Sequence, residues 1–244
     1  MSPTIHNFVT QVREKLKDIS NEKVKESAER FFKEEVLLYG VKVPEVEKLA
    51  KVYLQDLRRQ AKEQVFSLCE ELLRSKYVEE AFVACTWCYA FRNHYTPEDF
   101  FQFQGWIDRY ISNWAVCDTF CNHSVGTLIE QYPALVQNLT EWTKSENRWM
   151  RRAAAVSLIV PVKKGKFLEE ALALADLLLL DTDDMVQKGY GWLLKVASQP
   201  HLEEVYQFVL ARKARMPRTA LRYAIEKMPG ELKKRAMERE KGEK

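Results

Sequence analysis

Residues 114–156 read WAVCDTFCNHSVGTLIEQYPALVQNLTEWTKSENRWMRRAAAV, and this stretch contains one complete unit of a repeat. Trp114 and Trp149 stand 35 residues apart, and the same spacing separates Glu79 from Trp114 and Trp149 from Asp184. A further member of the series follows after 31 residues. A near-constant period of this length, with two helices in each unit, is typical of an α-solenoid, whose repeats bury their apolar faces against one another. A plain helical bundle is the alternative, and the regular spacing argues against it.

The rest of the chain has the same helical character. Apolar residues recur at i, i+3, i+4 and i+7 in segment after segment, without a convincing alternating strand, and the sequence contains only 8 glycines and 8 prolines. The pattern predicts an all-α fold of HEAT-like two-helix repeats, with helices that include 23–38, 114–131 and 147–161. We expect a single repeat domain over 1–229, followed by a charged C-terminal helix or frayed tail over 230–244.

Composition limits the classes of protein that the chain can be. A sequence of 244 residues that is 46% hydrophobic can bury a substantial core. No apolar run is long enough to cross a membrane, and the charged N-terminus lacks the pattern of a signal peptide. We therefore expect a cytoplasmic protein without a membrane partner. We also expect the protein to be a monomer, although composition does not bear on that expectation.

Five cysteines, an odd number, occur largely at helical spacings in apolar stretches, which favours reduced, buried thiols over disulfides. A zinc site built from Cys85, Cys88, Cys117, Cys121 and His123 is the alternative. The pairs lack the glycine-rich knuckle turns of such sites, so we predict no metal and no cofactor.

The net charge of +3 is unevenly distributed along the chain. Residues 1–140 carry 17 Lys and Arg against 20 Asp and Glu, whereas residues 141–244 carry 21 against 15. The C-terminal part is therefore basic, as a surface that faces phosphates would be. An ordinary solvated surface with a Lys- and Glu-rich tail is the simpler interpretation.

Four residues fall in one register of the repeat. On the 35-residue period, Trp114, Asp118, Arg152 and Trp192 occupy offsets 0, 4, 3 and 8 of a common helix, which is one broad helical face. Each also has a structural interpretation. Tryptophans usually anchor a core, and Asp118 can form a salt bridge, for which Arg152 is itself a candidate partner.

Three segments in this register resemble successive motifs of the AlkD family of alkylpurine DNA glycosylases. These segments read NWAVCD at 113–118, NRWMRRAA at 147–154 and QKGYGW at 187–192. The LYGVKVP turn at 38–44 is similar to that family's N-terminal Gly-Val-x-x-Pro connection. The likeness spans about residues 25–225, with the motifs in matching order and spacing.

The resemblance implies a concave DNA-binding face and the excision of N3- and N7-alkylpurines, such as 3-methyladenine and 7-methylguanine, from double-stranded DNA. The implied catalytic set is Trp114, Asp118, Arg152 and Trp192. Asp118 would stabilise the oxocarbenium-like sugar or position water, while the two indoles would hold the cationic base and its sugar. The implied DNA contacts are made by Arg151, Arg152, Lys188 and Arg218. The family is thought to act on a lesion that stays stacked in the duplex.

Two other functions compete with this one. A non-catalytic relative would use the same solenoid to bind damaged or branched DNA, but phosphate binding alone gains nothing from a carboxylate at Asp118. A HEAT-type protein scaffold would present apolar or mixed charge rather than Arg152, Lys188 and Arg218 on one track.

Overall fold

The computed structural model describes residues 3–238, with side chains from Asn7 onward. Within that range the chain forms α-helices and short helical turns but no strand, and its single extended pairing is an isolated bridge between Leu37 and Tyr77. The all-α prediction is confirmed. The helices are α1 (Pro3–Asp18), α2 (Glu22–Glu29), α3 (Val43–Leu57), α4 (Lys62–Arg74), α5 (Val78–Ala90), α6 (Asp99–Tyr110), α7 (Trp114–Phe120), α8 (Gly126–Gln131), α9 (Leu139–Trp142), α10 (Arg148–Val156), α11 (Ile159–Lys163), α12 (Leu168–Leu177), α13 (Asp184–Ala197), α14 (Leu202–Arg212), α15 (Arg218–Ala224) and α16 (Gly230–Met237).

Side-chain caps mark the start of three helices of the repeat series, α7, α10 and α13. Asn113 accepts a hydrogen bond from the backbone N–H of Val116 at 3.0 Å at the start of α7. Asn147 does the same at the start of α10, at 2.9 Å, and Asp183 at the start of α13, at 2.8 Å. Such caps satisfy N–H groups that the helix itself leaves without acceptors. The recurring period therefore reflects a recurring helix start.

The described residues group into two compact units, one ending at Phe120 and the other beginning at Cys121. The single domain over 1–229 stays a prediction. In the first unit, α5 packs against α3 and α4. An aromatic cluster fills the neighbouring core, in which the ring of Phe103 lies 5.5 Å from that of Trp106 and 5.1 Å from that of Phe120. Burial of these apolar rings stabilises the unit.

In the second unit, α13 packs against both α10 and α15. Small residues allow the helices to approach closely. Ala153, Ala154 and Ala155 on α10 are fully buried. A Cβ on Gly191 would stand 2.7 Å from the Cβ of Tyr223 and 2.9 Å from the carbonyl oxygen of Ala220 on α15. The glycine that weakens α13 in isolation is therefore required by helix packing.

Gly191→Ala should destabilise the protein, because the new methyl group would force α13 and α15 apart. We expect a loss of about 1–3 kcal/mol, the usual range for an overpacked core, measured by urea unfolding. Gly230→Ala is the matched control, since a Cβ there meets nothing within 4 Å. Equal stability of the two variants would contradict the close-packing explanation.

Two of the predicted helices end or divide within their predicted bounds, and a third, 114–131, contains a π-helical segment at Cys121–Val125. The helix predicted over 23–38 ends at Glu29, and the residues after it run without regular structure to α3. The helix predicted over 147–161 is divided between α10 and α11. In the first case, the backbone N–H groups of residues 39–41 donate to the buried carboxylate of Glu79 instead of to the carbonyls of a continued helix. In the second, the Ser157 hydroxyl donates to the carbonyl of Ala153 at 2.7 Å, a bond that bends helices.

The predicted C-terminal segment lies partly in the described range. Gly230–Met237 forms the helix α16. The part of the predicted 230–244 segment beyond residue 238 lies outside the described residues. Among the residues that are described, no helix combines the length and apolar character needed to cross a membrane.

All five cysteines are buried free thiols, as expected. Burial raises the pKa of the Cys69 and Cys85 thiols, so both are held in the neutral form. Over residues 7–238 there is no group of three or more His, Cys, Asp or Glu side chains arranged to hold a metal ion.

A carboxylate in the second unit links stability to pH. Glu130 on α8 accepts hydrogen bonds from Lys164 at 2.6 Å and Lys166 at 3.2 Å. Burial alone would raise its pKa, but the two lysines outweigh burial and lower the pKa below its usual 4.5. The stabilisation is therefore present above the unfolded-state pKa and is lost as pH falls through the lower, folded-state pKa.

Glu130→Gln should reduce stability at pH 7 by about 0.5–1 kcal/mol, because both lysines are half exposed and solvent screens the pair. The difference from wild type should vanish in acid below the folded-state pKa. Urea unfolding across pH 3–7 measures both expectations. Glu141→Gln, which removes an exposed pair with Lys144, should have almost no effect at any pH. A Glu130 effect that persists in acid would contradict the assignment.

Candidate functional site

The helix α7 carries the first two of the predicted site residues. Trp114 is its first residue, directly after the cap Asn113, and Asp118 follows one turn later on the same face. Both are half-buried rather than part of the core, whereas Val116 and Cys117 between them are buried. The apolar face of α7 thus holds the helix in place and leaves its Trp–Asp face at the surface of the unit.

The indole of Trp114 is fixed by the connection between α2 and α3. Its Nε1–H donates to the backbone carbonyl of Phe31 at 3.2 Å, and its ring lies 5.8 Å from the ring of Phe32, tilted by 31°. A ring held by a hydrogen bond at one end and an aromatic contact at another has little freedom to turn. Trp114 is therefore oriented before any ligand binds.

Arg152 is buried in the second unit, with 4% of its surface exposed. Its guanidinium donates to the carbonyl of Met185 in the first turn of α13. Its aliphatic stem lies against Gly189, where a Cβ would stand 3.2 Å from Cγ of Arg152. Gly189 is thus explained by the close approach of the arginine. The structure places Arg152 between α10 and α13, and its contact with a phosphate stays a prediction.

Arg151 is held by a ring of acceptors from two loops of the same unit. Its Nε donates to Asp181 at 2.6 Å, and its Nη1 donates to the carbonyls of Ser145 at 2.9 Å and Glu146 at 3.0 Å. Next to it, Arg148 pairs with Asp183 at 3.2 Å. These bonds fix the loops before α10 and α13 to one another. The role of Arg151 in DNA binding also stays a prediction.

The other predicted residues of the second unit lie on α13 and α15. Trp192 is half-buried on α13, one turn after Gly189. Lys188 is half-buried and pairs with Asp184 at 3.0 Å, whereas Arg218 is exposed at the start of α15. Within this unit the structure brings Arg152 against α13, the helix that carries Trp192. The assembly of all four predicted catalytic residues into one groove stays a prediction, because Trp114 and Asp118 belong to the first unit.

Two buried carboxylates in the first unit were missed by the sequence analysis. Glu79 accepts the backbone N–H groups of Tyr39 at 3.1 Å, Gly40 at 2.8 Å and Val41 at 3.1 Å. Glu80 accepts from the Tyr39 hydroxyl at 2.7 Å and from Arg13 Nε at 3.0 Å. Burial and the bond to Glu80 raise the pKa of Tyr39. The available signal was the pair of adjacent acids in the repeat series, at a position where apolar residues are expected.

Comparison with known proteins identifies the family. The family model described as "DNA alkylation repair enzyme" matches residues 12–228. A solved structure from Enterococcus faecalis, described as a predicted DNA alkylation repair enzyme, is similar in fold with a TM-score of 0.77 and 16% sequence identity. The alignment covers 86% of this chain and 97% of that one. No curated protein matches the sequence significantly. The family match extends over nearly the whole chain, so the chain belongs to the DNA alkylation repair enzyme family.

Proposed function

We propose that the protein is a DNA glycosylase that excises cationic N3- and N7-alkylpurines from duplex DNA in base excision repair. Membership of the DNA alkylation repair enzyme family supports a DNA substrate that carries alkyl lesions. The observation that carries the proposal is the face of α7, on which a pre-oriented indole and a carboxylate stand one turn apart at the surface of their unit. The AlkD-type motifs around these residues support the glycosylase chemistry.

The chemistry suits a carboxylate without a strong general acid. Alkylation at N3 or N7 gives the purine a positive charge, so the base leaves as a neutral molecule when it takes the electron pair of the N-glycosidic bond. Positive charge then develops on the deoxyribose. Asp118 stabilises that oxocarbenium-like sugar and orients the water whose oxygen bonds to C1′, while the water proton passes to the carboxylate or to solvent.

The remaining predicted residues hold the substrate. Trp114 and Trp192 shelter the cationic base and the sugar by contacts with their ring faces, which exclude water from the reacting bond. Arg151, Arg152, Lys188 and Arg218 supply positive charge for the DNA backbone, and the lesion remains stacked in the duplex. Because Arg151 is paired with Asp181 and Arg152 is buried against the Met185 carbonyl, these two arginines act mainly by positioning the surfaces of α10 and α13. Arg218, which is exposed, is the proposed residue that reaches a phosphate most directly.

The decisive experiment measures free 7-methylguanine and 3-methyladenine released from methylated duplex DNA by the wild-type protein, against the spontaneous rate. DNA binding is followed in parallel at two salt concentrations. Base release above the spontaneous rate supports the glycosylase. Salt-dependent binding without release would overturn it in favour of a non-catalytic damage-binding protein. The absence of DNA binding would instead favour a HEAT-type scaffold.

A further inference from the structure

A groove lies on the surface of the first unit beside Trp114. It is an open groove of about 460 Å³ between α2 and the segment that leads into α3. Its walls are mainly apolar and include Val24, Phe31 and Val43, while Lys23 and Lys42 are among the lining residues and no acidic residue is. Phe31 is 73% exposed and Val43 is 49% exposed. We call it the Phe31 groove.

The groove is built from rigid parts. Asn21 caps α2 by accepting from the N–H of Val24 at 3.1 Å. Gly40 has a φ of +83°, and a Cβ there would stand 2.3 Å from the carbonyl oxygen of Asn21, so the 39–43 segment lies directly against the start of α2. The carboxylate of Glu79 fixes the same segment through three N–H groups. Both walls are therefore held in place by the fold.

The exposed phenylalanine is an unusual feature of a groove that the fold holds so firmly. Large apolar side chains at the surface are normal singly, but Phe31 and Val43 here line the same concavity. The backbone carbonyl of Phe31 accepts the hydrogen bond from the Trp114 indole. The ring thus stands on a fixed support next to the proposed lesion site, and it offers an aromatic face to a ligand.

The chemistry of the groove fits one nucleotide. A volume of about 460 Å³ is that of a small-molecule site, which is ample for a base and its sugar. Aromatic platforms stack on nucleobases regardless of sequence, and lysines beside them bind the backbone phosphates. A fully paired base is not available for such stacking. The positive charge and the lack of an acidic lining residue disfavour an apolar peptide as the occupant.

We propose that the Phe31 groove binds an unpaired nucleotide of the DNA substrate, with the base against Phe31 and the neighbouring phosphates on Lys23 and Lys42. This inference rests on the proposed DNA-repair function and adds a second DNA contact to it. Binding here would favour DNA in which damage or mispairing has freed a nucleotide near Trp114. The lesion itself need not leave the stack.

Fluorescence anisotropy with two labelled duplexes tests the groove, one fully paired and one of the same sequence with a single-nucleotide bulge. Wild type should bind the bulged duplex more tightly. Phe31→Ala should lower affinity for the bulged duplex about 10-fold and for the paired duplex much less, as expected for the loss of one stacking contact. Val52→Ala is the control, because that side chain is 65% exposed on α3 outside the groove. Thermal unfolding of each variant verifies the fold.

The lysines give an independent readout. The double variant Lys23→Gln/Lys42→Gln should reduce the slope of log affinity against log salt by about 2, whereas Lys51→Gln on the outer part of α3 should not change it. Equal affinity of wild type and Phe31→Ala for the bulged duplex would overturn the proposal. So would a change in sedimentation with Phe31→Ala without a change in DNA affinity, since the groove would then be a self-association surface.

The outcomes separate this proposal from the glycosylase. Base release by wild type, together with unaltered DNA affinity of Phe31→Ala, would overturn the groove proposal and support the glycosylase proposal. Weaker binding by Phe31→Ala without base release by wild type would support the groove proposal and overturn the glycosylase proposal. Failure of wild type to bind either duplex would overturn both proposals.

Discussion

Asp118→Asn should lower the single-turnover rate of 7-methylguanine release by about 10²- to 10⁴-fold, with DNA affinity within about twofold of wild type. The substitution keeps the size and half-buried position of the side chain on α7 but removes the negative charge. The alkylated base is already cationic in the bound substrate, whereas positive charge on the sugar develops only in the transition state. Loss of the Asp118 charge should therefore destabilise the transition state and not the bound substrate. An effect on rate without an effect on binding is the signature of that difference.

The matched control is Asp56→Asn, which removes an exposed carboxylate from α3 of the same unit. Its rate and affinity should equal those of wild type. Single-turnover conditions with saturating protein separate the chemical step from binding and product release, and thermal unfolding verifies that Asp118→Asn is folded. A rate within threefold of wild type would contradict the proposed role of Asp118 and leave its helix as a structural element.

Glu79→Ala should destabilise the protein by about 3–5 kcal/mol, the largest loss of stability that we expect from a single substitution here. Glu79 is 2% exposed and is the acceptor for three consecutive backbone N–H groups. Its removal leaves a cavity. The N–H groups of Gly40 and Val41, which are buried, then have lost their acceptor. Urea unfolding measures the free energy, and hydrogen exchange at Tyr39, Gly40 and Val41 should accelerate far more than elsewhere.

A graded series makes this prediction specific. Glu79→Gln retains one acceptor oxygen, so its loss should be smaller than that of Glu79→Ala. Glu47→Ala, which removes an exposed acid from α3, should change stability by less than about 0.5 kcal/mol. Similar losses for Glu79→Ala and Glu47→Ala would show that the N–H groups find other acceptors. Because Val41, whose backbone N–H donates to Glu79, lines the Phe31 groove, the Glu79 variants should also weaken binding of the bulged duplex.

Local signals in the sequence were sufficient for most helices. Apolar periodicity placed them, and Asn113, Asn147 and Asp183 begin three of them because their short polar side chains accept from the first free N–H groups. The same local geometry put Trp114 and Asp118 on one face, since residues four apart always share a helical face. The burial of the cysteines also followed from their apolar neighbours.

Hydrogen bonds between residues far apart in the chain could not be predicted from the sequence. Residues 30–38 have the composition of a helix, but Glu79, about 40 residues away, bonds the 39–41 backbone and Leu37 pairs with Tyr77. From the sequence, Arg151 and Arg152 are expected to be surface cations. In the structure the guanidinium of Arg151 donates to Asp181, and that of Arg152 donates to the Met185 carbonyl. No local pattern encodes which acceptor a long side chain will reach, because the choice depends on how helices pack.

The sequence alone determined that this chain folds into repeating helices, where those helices begin, and which indole and carboxylate share the face of α7. Periodicity and capping act within a few residues, so they can be deduced from the order of residues. Only the tertiary structure decided that Gly191 serves a helix contact, that Arg152 is buried, and that Phe31 stands exposed in a groove beside Trp114. Those features arise where distant segments meet, and their energies depend on distances that exist only in the folded chain.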